Sequence, residues 1–185
     1  MHEIYGINPH IASVCNTYFS EGYDVYCPNL LGIDKPFQYS QQEDAYAYFN
    51  QTLGFKLCDQ VNQVIEKIRP SYKSIILLGF SIGATLAWIC SENGLCDGII
   101  CYYGSRIRDY LSVIPKCPAL LIFSSQEKSF DPQNSVIAFG NSCNISLNIL
   151  SGTHGFCDPF SLNFDPKSAK KAKELAQTFL ATINR

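Results

Sequence analysis

Gly79-Phe80-Ser81-Ile82-Gly83 is the segment of this 185-residue chain best equipped to do chemistry. It follows the apolar run Ile75-Ile76-Leu77-Leu78 and precedes the helix-like Ala84-Thr85-Leu86-Ala87-Trp88-Ile89. G-x-S-x-G at a strand-to-helix turn is the pattern of a nucleophile elbow. Glycine fits where helix and strand nearly touch, and the sharp turn lifts the serine hydroxyl out of the sheet. The helix N-terminus beneath it favours negative charge. Outside that context the pentapeptide is a common coincidence.

A serine hydroxyl is a weak nucleophile until a base takes its proton. On such an elbow the chain order is serine, then acid, then histidine. Of His2, His10 and His154, only His154 follows Ser81, so it is the base by elimination. The acid is expected after the apolar run Ala119–Phe123, where Glu127 and Asp131 both qualify by position. Either carboxylate could orient an imidazole and stabilise its charged form. Asp131 directly precedes Pro132 and a predicted helix, a position where aspartate serves as a cap. Glu127 is therefore the expected acid. An oxyanion needs two backbone donors. One is the Ile82 amide; the other must come from the opening loop His2-Glu3-Ile4-Tyr5-Gly6.

These groups need a scaffold that holds them at one edge. Short apolar runs alternate with longer amphipathic stretches, the pattern of an α/β fold with a mostly parallel sheet and helices on both faces. Predicted strands are Tyr23–Cys27, Ser74–Leu78, Gly98–Tyr102, Ala119–Phe123 and Asn144–Leu150. Ser40-Gln41-Gln42-Glu43 reads as a capping box at a helix start. Leu57, Val61, Val64, Ile65 and Ile68 share one helical face, which Pro70 ends. Gly54 breaks the stretch between these two helices. Near the C-terminus Asp165 caps a helix with Pro166 in its first turn. Ala172, Leu175, Ala176, Phe179, Leu180 and Ile183 give that helix an apolar stripe.

Composition excludes other classes. Hydrophobic residues are 46% and charged residues 16%, which rules out a disordered chain. The formal net charge is -2 and no basic block occurs, so neither nucleic acid nor a membrane is an expected partner. No basic start leads into an apolar stretch at the N-terminus, so no secretory signal is read and a cytoplasmic location is expected. Nine cysteines are scattered without a C-x-x-C pair. They read as small apolar residues of a reducing compartment, with no disulfide framework and no metal site. No G-x-G-x-x-G or P-loop is present, so no cofactor is expected.

The residues resemble the dienelactone hydrolase family of α/β-hydrolases over essentially the whole length. The resemblance rests on His2-Glu3-Ile4-Tyr5-Gly6, on Gly22-Tyr23-Asp24-Val25-Tyr26-Cys27-Pro28-Asn29-Leu30, and on the elbow. Cys101-Tyr102-Tyr103-Gly104, Pro118–Phe123 with Glu127, and Gly152-Thr153-His154-Gly155-Phe156 complete it in order. It implies that Glu127 is the acid, where the usual acid is aspartate, and that the Ile4 amide joins Ile82 in the oxyanion hole. It also implies that Glu3 lies close to the nucleophile and influences its ionisation. The chain departs from the family in three ways. Ser81 stands where the eponymous enzymes have cysteine. No arginine near His154 matches those that hold the dienelactone carboxylate, so dienelactone itself is not the expected substrate. The resemblance also implies further chain ahead of His2, including a strand between Tyr23–Cys27 and Ser74–Leu78. Without it the two neighbours lose pairing and the core has a gap. A late start assignment, a fragment, or a sheet closed another way would each account for this.

The leading expectation is a single shortened domain that cleaves a small ester, lactone or thioester as a monomer or homodimer. Phe80 and Tyr103, with Glu3, are candidate substrate contacts, and Trp88 is expected in the helix core. An inactive α/β-hydrolase-like remnant, and a peptidase or acyltransferase on the same fold, are the competing expectations.

Overall fold

The computed structural model describes residues 1–139 and 142–183. Four strands form one sheet, β1 (Ile76–Phe80), β2 (Gly98–Tyr102), β3 (Ala119–Gln126) and β4 (Ile145–Thr153), in the order β1-β2-β3-β4. All three pairings are parallel, with Ile76 opposite Gly98, Ile99 opposite Ala119 and Ala119 opposite Ile145. Among the described residues six α-helices surround them: α1 (Pro9–Ser20), α2 (Gln42–Tyr48), α3 (Cys58–Ile68), α4 (Ile82–Cys90), α5 (Gln133–Phe139) and α6 (Pro166–Ile183).

Side chains alternate across a strand, so an apolar run buried on both sides must feed two cores. Leu77, Ile99, Cys101, Leu121 and Phe123 pack with residues of α3, α4 and α5. Ile100, Tyr102, Leu120 and Ile122 face the other way, with Ile11 of α1 and the Ala172, Ala176 and Leu180 stripe of α6. The fold is therefore three-layered, with α4 almost wholly buried against the sheet.

Several expected details hold. Asp165 Oδ1 accepts the Ser168 amide at 2.8 Å, and Pro166 opens α6. Helix α3 ends at Ile68, ahead of Pro70. Gly54 has φ 54°, a backbone that other residues rarely adopt, and separates a π-turn from a 3-10 turn. The capping box is displaced: Gln38 and Gln41 make the reciprocal bonds, at a 3-10 turn preceding α2, and Ser40 does not.

Tyr23–Cys27 is a correction. The segment is irregular rather than a strand. The physical reason lies beside it. Between this segment and β1 runs an apolar slot of about 240 Å³, walled by Val14 and Tyr18 on one side and Val61, Ile65 and Ile68 on another. A strand is defined by its ladder, and among the described residues no strand pairs with this segment. At the upper end of the slot the chain start closes it. The Met1 ammonium donates to the Leu78 carbonyl, and the Phe80 amide donates to the Met1 carbonyl at 3.3 Å. Those two bonds are the pattern of a parallel bridge.

Candidate active site

Ser81 sits between β1 and α4 with φ 53° and ψ -112°. A non-glycine residue there is strained, and such strain persists only where neighbours fix it. Two glycines allow the turn. A Cβ on Gly79 would lie 2.6 Å from the Ala84 nitrogen, and one on Gly83 would lie 2.6 Å from both the Met1 and His2 carbonyl oxygens. The first lets the helix approach the strand; the second lets the opening loop dock on the helix start.

The histidine and the carboxylate arrive from the ends of β4 and β3. His154 Nε2 lies 2.9 Å from Ser81 Oγ. His154 Nδ1 lies 3.1 and 3.0 Å from the two Glu127 oxygens. The carboxylate accepts the Nδ1 proton, which leaves Nε2 as acceptor for the serine hydroxyl. Burial pulls the imidazole pKa down. Its bond to Glu127 and the charges of Glu127 and Glu3 outweigh that and hold it above the ordinary value. The His154 side chain is 38% exposed and that of Glu127 only 2%, so solvent reaches the base but not the carboxylate. Asp131 is elsewhere: its Oδ1 accepts the Gln133 amide at 2.9 Å, as the cap of α5.

The opening loop forms the facing wall. Glu3 is buried, with 5% exposure. Burial pushes its carboxyl up to about 7; His154 pulls it down and Asp158 pushes it further up. His2 fastens the loop. Its Nδ1 donates to the Glu3 carbonyl at 2.8 Å, and its Nε2 accepts the Leu30 amide at 3.0 Å. Burial holds that ring near a pKa of about 4, and the acceptor role of Nε2 requires it neutral. Ile82 is the first residue of α4, so its N–H has no partner within the helix. Ile4 lies in the loop that Gly83 admits.

Phe80 and Tyr103 lie in the inner core. Phe80 stacks on Tyr102 at 4.6 Å and meets the His10 ring edge-on at 4.8 Å. Tyr103, fully buried at φ 40°, sets its ring 5.0 Å from that of His154. Its hydroxyl is buried beside Glu3, whose carboxyl pKa it pulls down. Both side chains are thus buried rather than open to solvent, and Tyr103 lies directly against His154. Trp88 is core, donating its Nε1 proton to the Tyr110 carbonyl at 2.9 Å.

Sequence reasoning missed three supports. Ser124, buried at the end of β3, donates its hydroxyl to Glu127. Asn163 Nδ2 donates to the His154 carbonyl at 2.8 Å. Asp158 is buried, accepts from the Tyr39 hydroxyl and from the Phe160 amide at 2.8 Å, and lies 3.9 Å from His10. Only Ser124 had a readable signal, as a polar residue closing an apolar strand beside the expected acid.

A parallel sheet with helices on both faces, and a strained serine at the strand-to-helix turn, define an α/β-hydrolase fold. Residues 1–184 match the dienelactone hydrolase family, and the chain belongs to it. It is 35% identical to the uncharacterised protein YczH of Bacillus subtilis (strain 168), over 99% of this chain and 93% of that one. Carboxymethylenebutenolidase 1 of Cupriavidus pinatubonensis is 26% identical, over 98% of this chain and 83% of the relative. The crystal structure of a provisionally assigned dienelactone hydrolase from Klebsiella pneumoniae superposes with a TM-score of 0.78 at 16% identity. It matches 97% of this chain and 84% of the other. Family and fold make this protein a hydrolase.

Proposed function

We propose that the protein is a serine hydrolase that cleaves a small, uncharged carboxylic ester, lactone or thioester through an acyl-enzyme. The observation that carries this reading is the chain of contacts from Glu127 through His154 to Ser81, at 3.0 and 2.9 Å. Ser81 Oγ attacks the carbonyl carbon and gives its proton to His154 Nε2. Glu127 steadies the imidazolium. The Ile82 and Ile4 amides take the oxyanion, as the matching family loop implies. When the tetrahedral intermediate collapses, the leaving oxygen or sulfur takes the proton from His154. Water, deprotonated by the same nitrogen, then attacks the acyl carbon, and Ser81 leaves as the alcohol.

The charges around the site support an uncharged substrate. Those that shift Glu3 and His154 come from Glu127, Asp158 and from each other, with no lysine or arginine among them. A carboxylate on the substrate would face like charge. Lactones stay within the reading because one relative is named a carboxymethylenebutenolidase and a butenolide is an unsaturated lactone.

The test is hydrolysis of a neutral activated ester such as p-nitrophenyl acetate, with a fluorophosphonate adduct mapped by mass spectrometry. We expect one adduct on Ser81, and Ser81→Ala should lose roughly 10⁴–10⁶-fold in kcat. Hydrolysis that persists in Ser81→Ala, or an intact wild type that takes no adduct, would sink the reading.

A further inference from the structure

We propose that Cys96 and Cys117 form an oxidation site, a dithiol that closes to a disulfide with hydrogen peroxide and staples two strands at the end of the sheet opposite Ser81. Their sulfurs are 3.7 Å apart and both side chains are buried, at 5% exposure each. Cys96 lies in the turn just before β2 and Cys117 just before β3. Ile99 is opposite Ala119, so position 97 is opposite 117 when the register is carried back two residues. Cys96 and Cys117 are therefore diagonal neighbours across one strand spacing. That places their Cα atoms roughly 6 Å apart, inside the range a disulfide spans.

The pair is held in place from both sides. Lys116, next to Cys117, donates its amide to the Ser91 carbonyl at 3.0 Å. Asn144 Nδ2 donates to the Pro115 carbonyl at 2.9 Å and to the Cys117 carbonyl at 3.4 Å. On the other strand, Asp97 binds Arg69 and accepts the Ile75 amide at 2.8 Å. Small rotations of two thiols, rather than a movement of backbone, bring the sulfurs to bonding distance. One thiol also assists the other. The hydrogen bond from Cys117 lowers the Cys96 pKa, against burial and the charge of Asp97, while the same contact pushes Cys117 up. Cys96 is therefore the sulfur that ionises first.

The chemistry balances with peroxide as oxidant. The Cys96 thiolate attacks one peroxide oxygen, the O–O bond breaks, and hydroxide leaves to become water. Cys96 is then a sulfenic acid. The Cys117 sulfur attacks it, the S–O bond breaks, and the hydroxyl leaves as a second water. The two thiols lose two electrons and two protons in total, and the peroxide is reduced to two waters. The new bond closes a loop that runs through β2, so it constrains the unfolded chain more than the folded one.

The experiment treats reduced wild-type protein with one equivalent of peroxide, then denatures it and alkylates it with N-ethylmaleimide. Alkylated thiols should fall from nine to seven. Trypsin should yield peptide 74–106 joined to peptide 117–128 through Cys96 and Cys117. The melting temperature should rise by about 5–10 °C, return on addition of dithiothreitol, and leave ester hydrolysis within twofold. Nine alkylated thiols overturn the proposal, as does a link at any other pair, or a link with no rise in melting temperature. Mapping on wild-type protein makes the result independent of whether Cys117→Ser folds. Where that variant does fold, peroxide should join no peptide to 74–106 and leave its melting temperature without the rise.

Discussion

The two sides of β1 are built very differently. On one side it pairs with β2 through five residues in register, from Ile76 opposite Gly98 to Phe80 opposite Tyr102. On the other side two backbone bonds to Met1 occupy the upper end, and below them the slot opens toward Tyr23–Cys27. The candidate site straddles this divide. Ser81, Glu127 and His154 are carried by β1, β3 and β4, elements paired along their length. Glu3 and Ile4 are carried by the loop that rests on the sparsely paired side. In the proposed reaction the first group carries the chemistry; the wall facing it depends on the second, on His2 and on the bare face of Gly83.

The largest expected effect breaks the well-supported half. Glu127→Gln keeps the shape and removes the charge that fixes the tautomer of His154. A fall in kcat of about 10³–10⁴ is expected, with the acid limb of the pH profile moving down because His154 loses the partner that holds its pKa up. An unchanged limb would detach Glu127 from the histidine. Next, Gly83→Ala attacks the opening loop. Its Cβ meets two backbone oxygens at 2.6 Å, and backbone cannot simply swing aside. We expect about 1–3 kcal/mol of stability lost and a kcat reduced roughly 10–100-fold, while the Ser81–His154 pair stays labelled by a fluorophosphonate. Equal loss of labelling and kcat would mean that the two halves are not separable.

The smallest effect sharpens the comparison through pH. Glu3 titrates near 7 in the fold against an ordinary 4.5, so the native state holds an extra proton between those values. Its contribution to stability therefore falls as pH rises from about 4.5 to 7. His2 titrates near 4 against an ordinary 6.5, so the unfolded state holds the extra proton. Its contribution rises as pH rises from about 4 to 6.5. These neighbours in sequence oppose one another over most of the same window. Glu3→Gln should uncover the His2 slope, with stability climbing by up to about 3 kcal/mol between pH 4.5 and 6.5 relative to wild type. Urea unfolding across that range checks it, and parallel curves for the two proteins would refute it.

The candidate site was legible in the sequence because each role proposed for it needs a residue type at a fixed place along the chain. The elbow glycines, the lone histidine after Ser81 and the carboxylate after Ala119–Phe123 are local patterns. Asp165 with Pro166 is likewise a local cap. Tyr23–Cys27 has strand-like composition yet is no strand, because a strand needs a neighbour and composition does not record one. The cap at Gln38 was misplaced because Ser40 offers equally good chemistry two residues on. The pairing of Asp158 with Tyr39 joins residues 119 positions apart, and no spacing rule reaches that far.

The bond from Met1 to Leu78 has a consequence in time. It joins residues 77 apart, whereas β1, α4 and β2 follow one another directly. Closing the longer span costs more chain entropy before any contact repays it. The elbow can therefore form early in refolding and the loop that faces it late. Recovery of helical and strand signal should run ahead of recovery of activity, the interval between them being the time the first few residues take to dock.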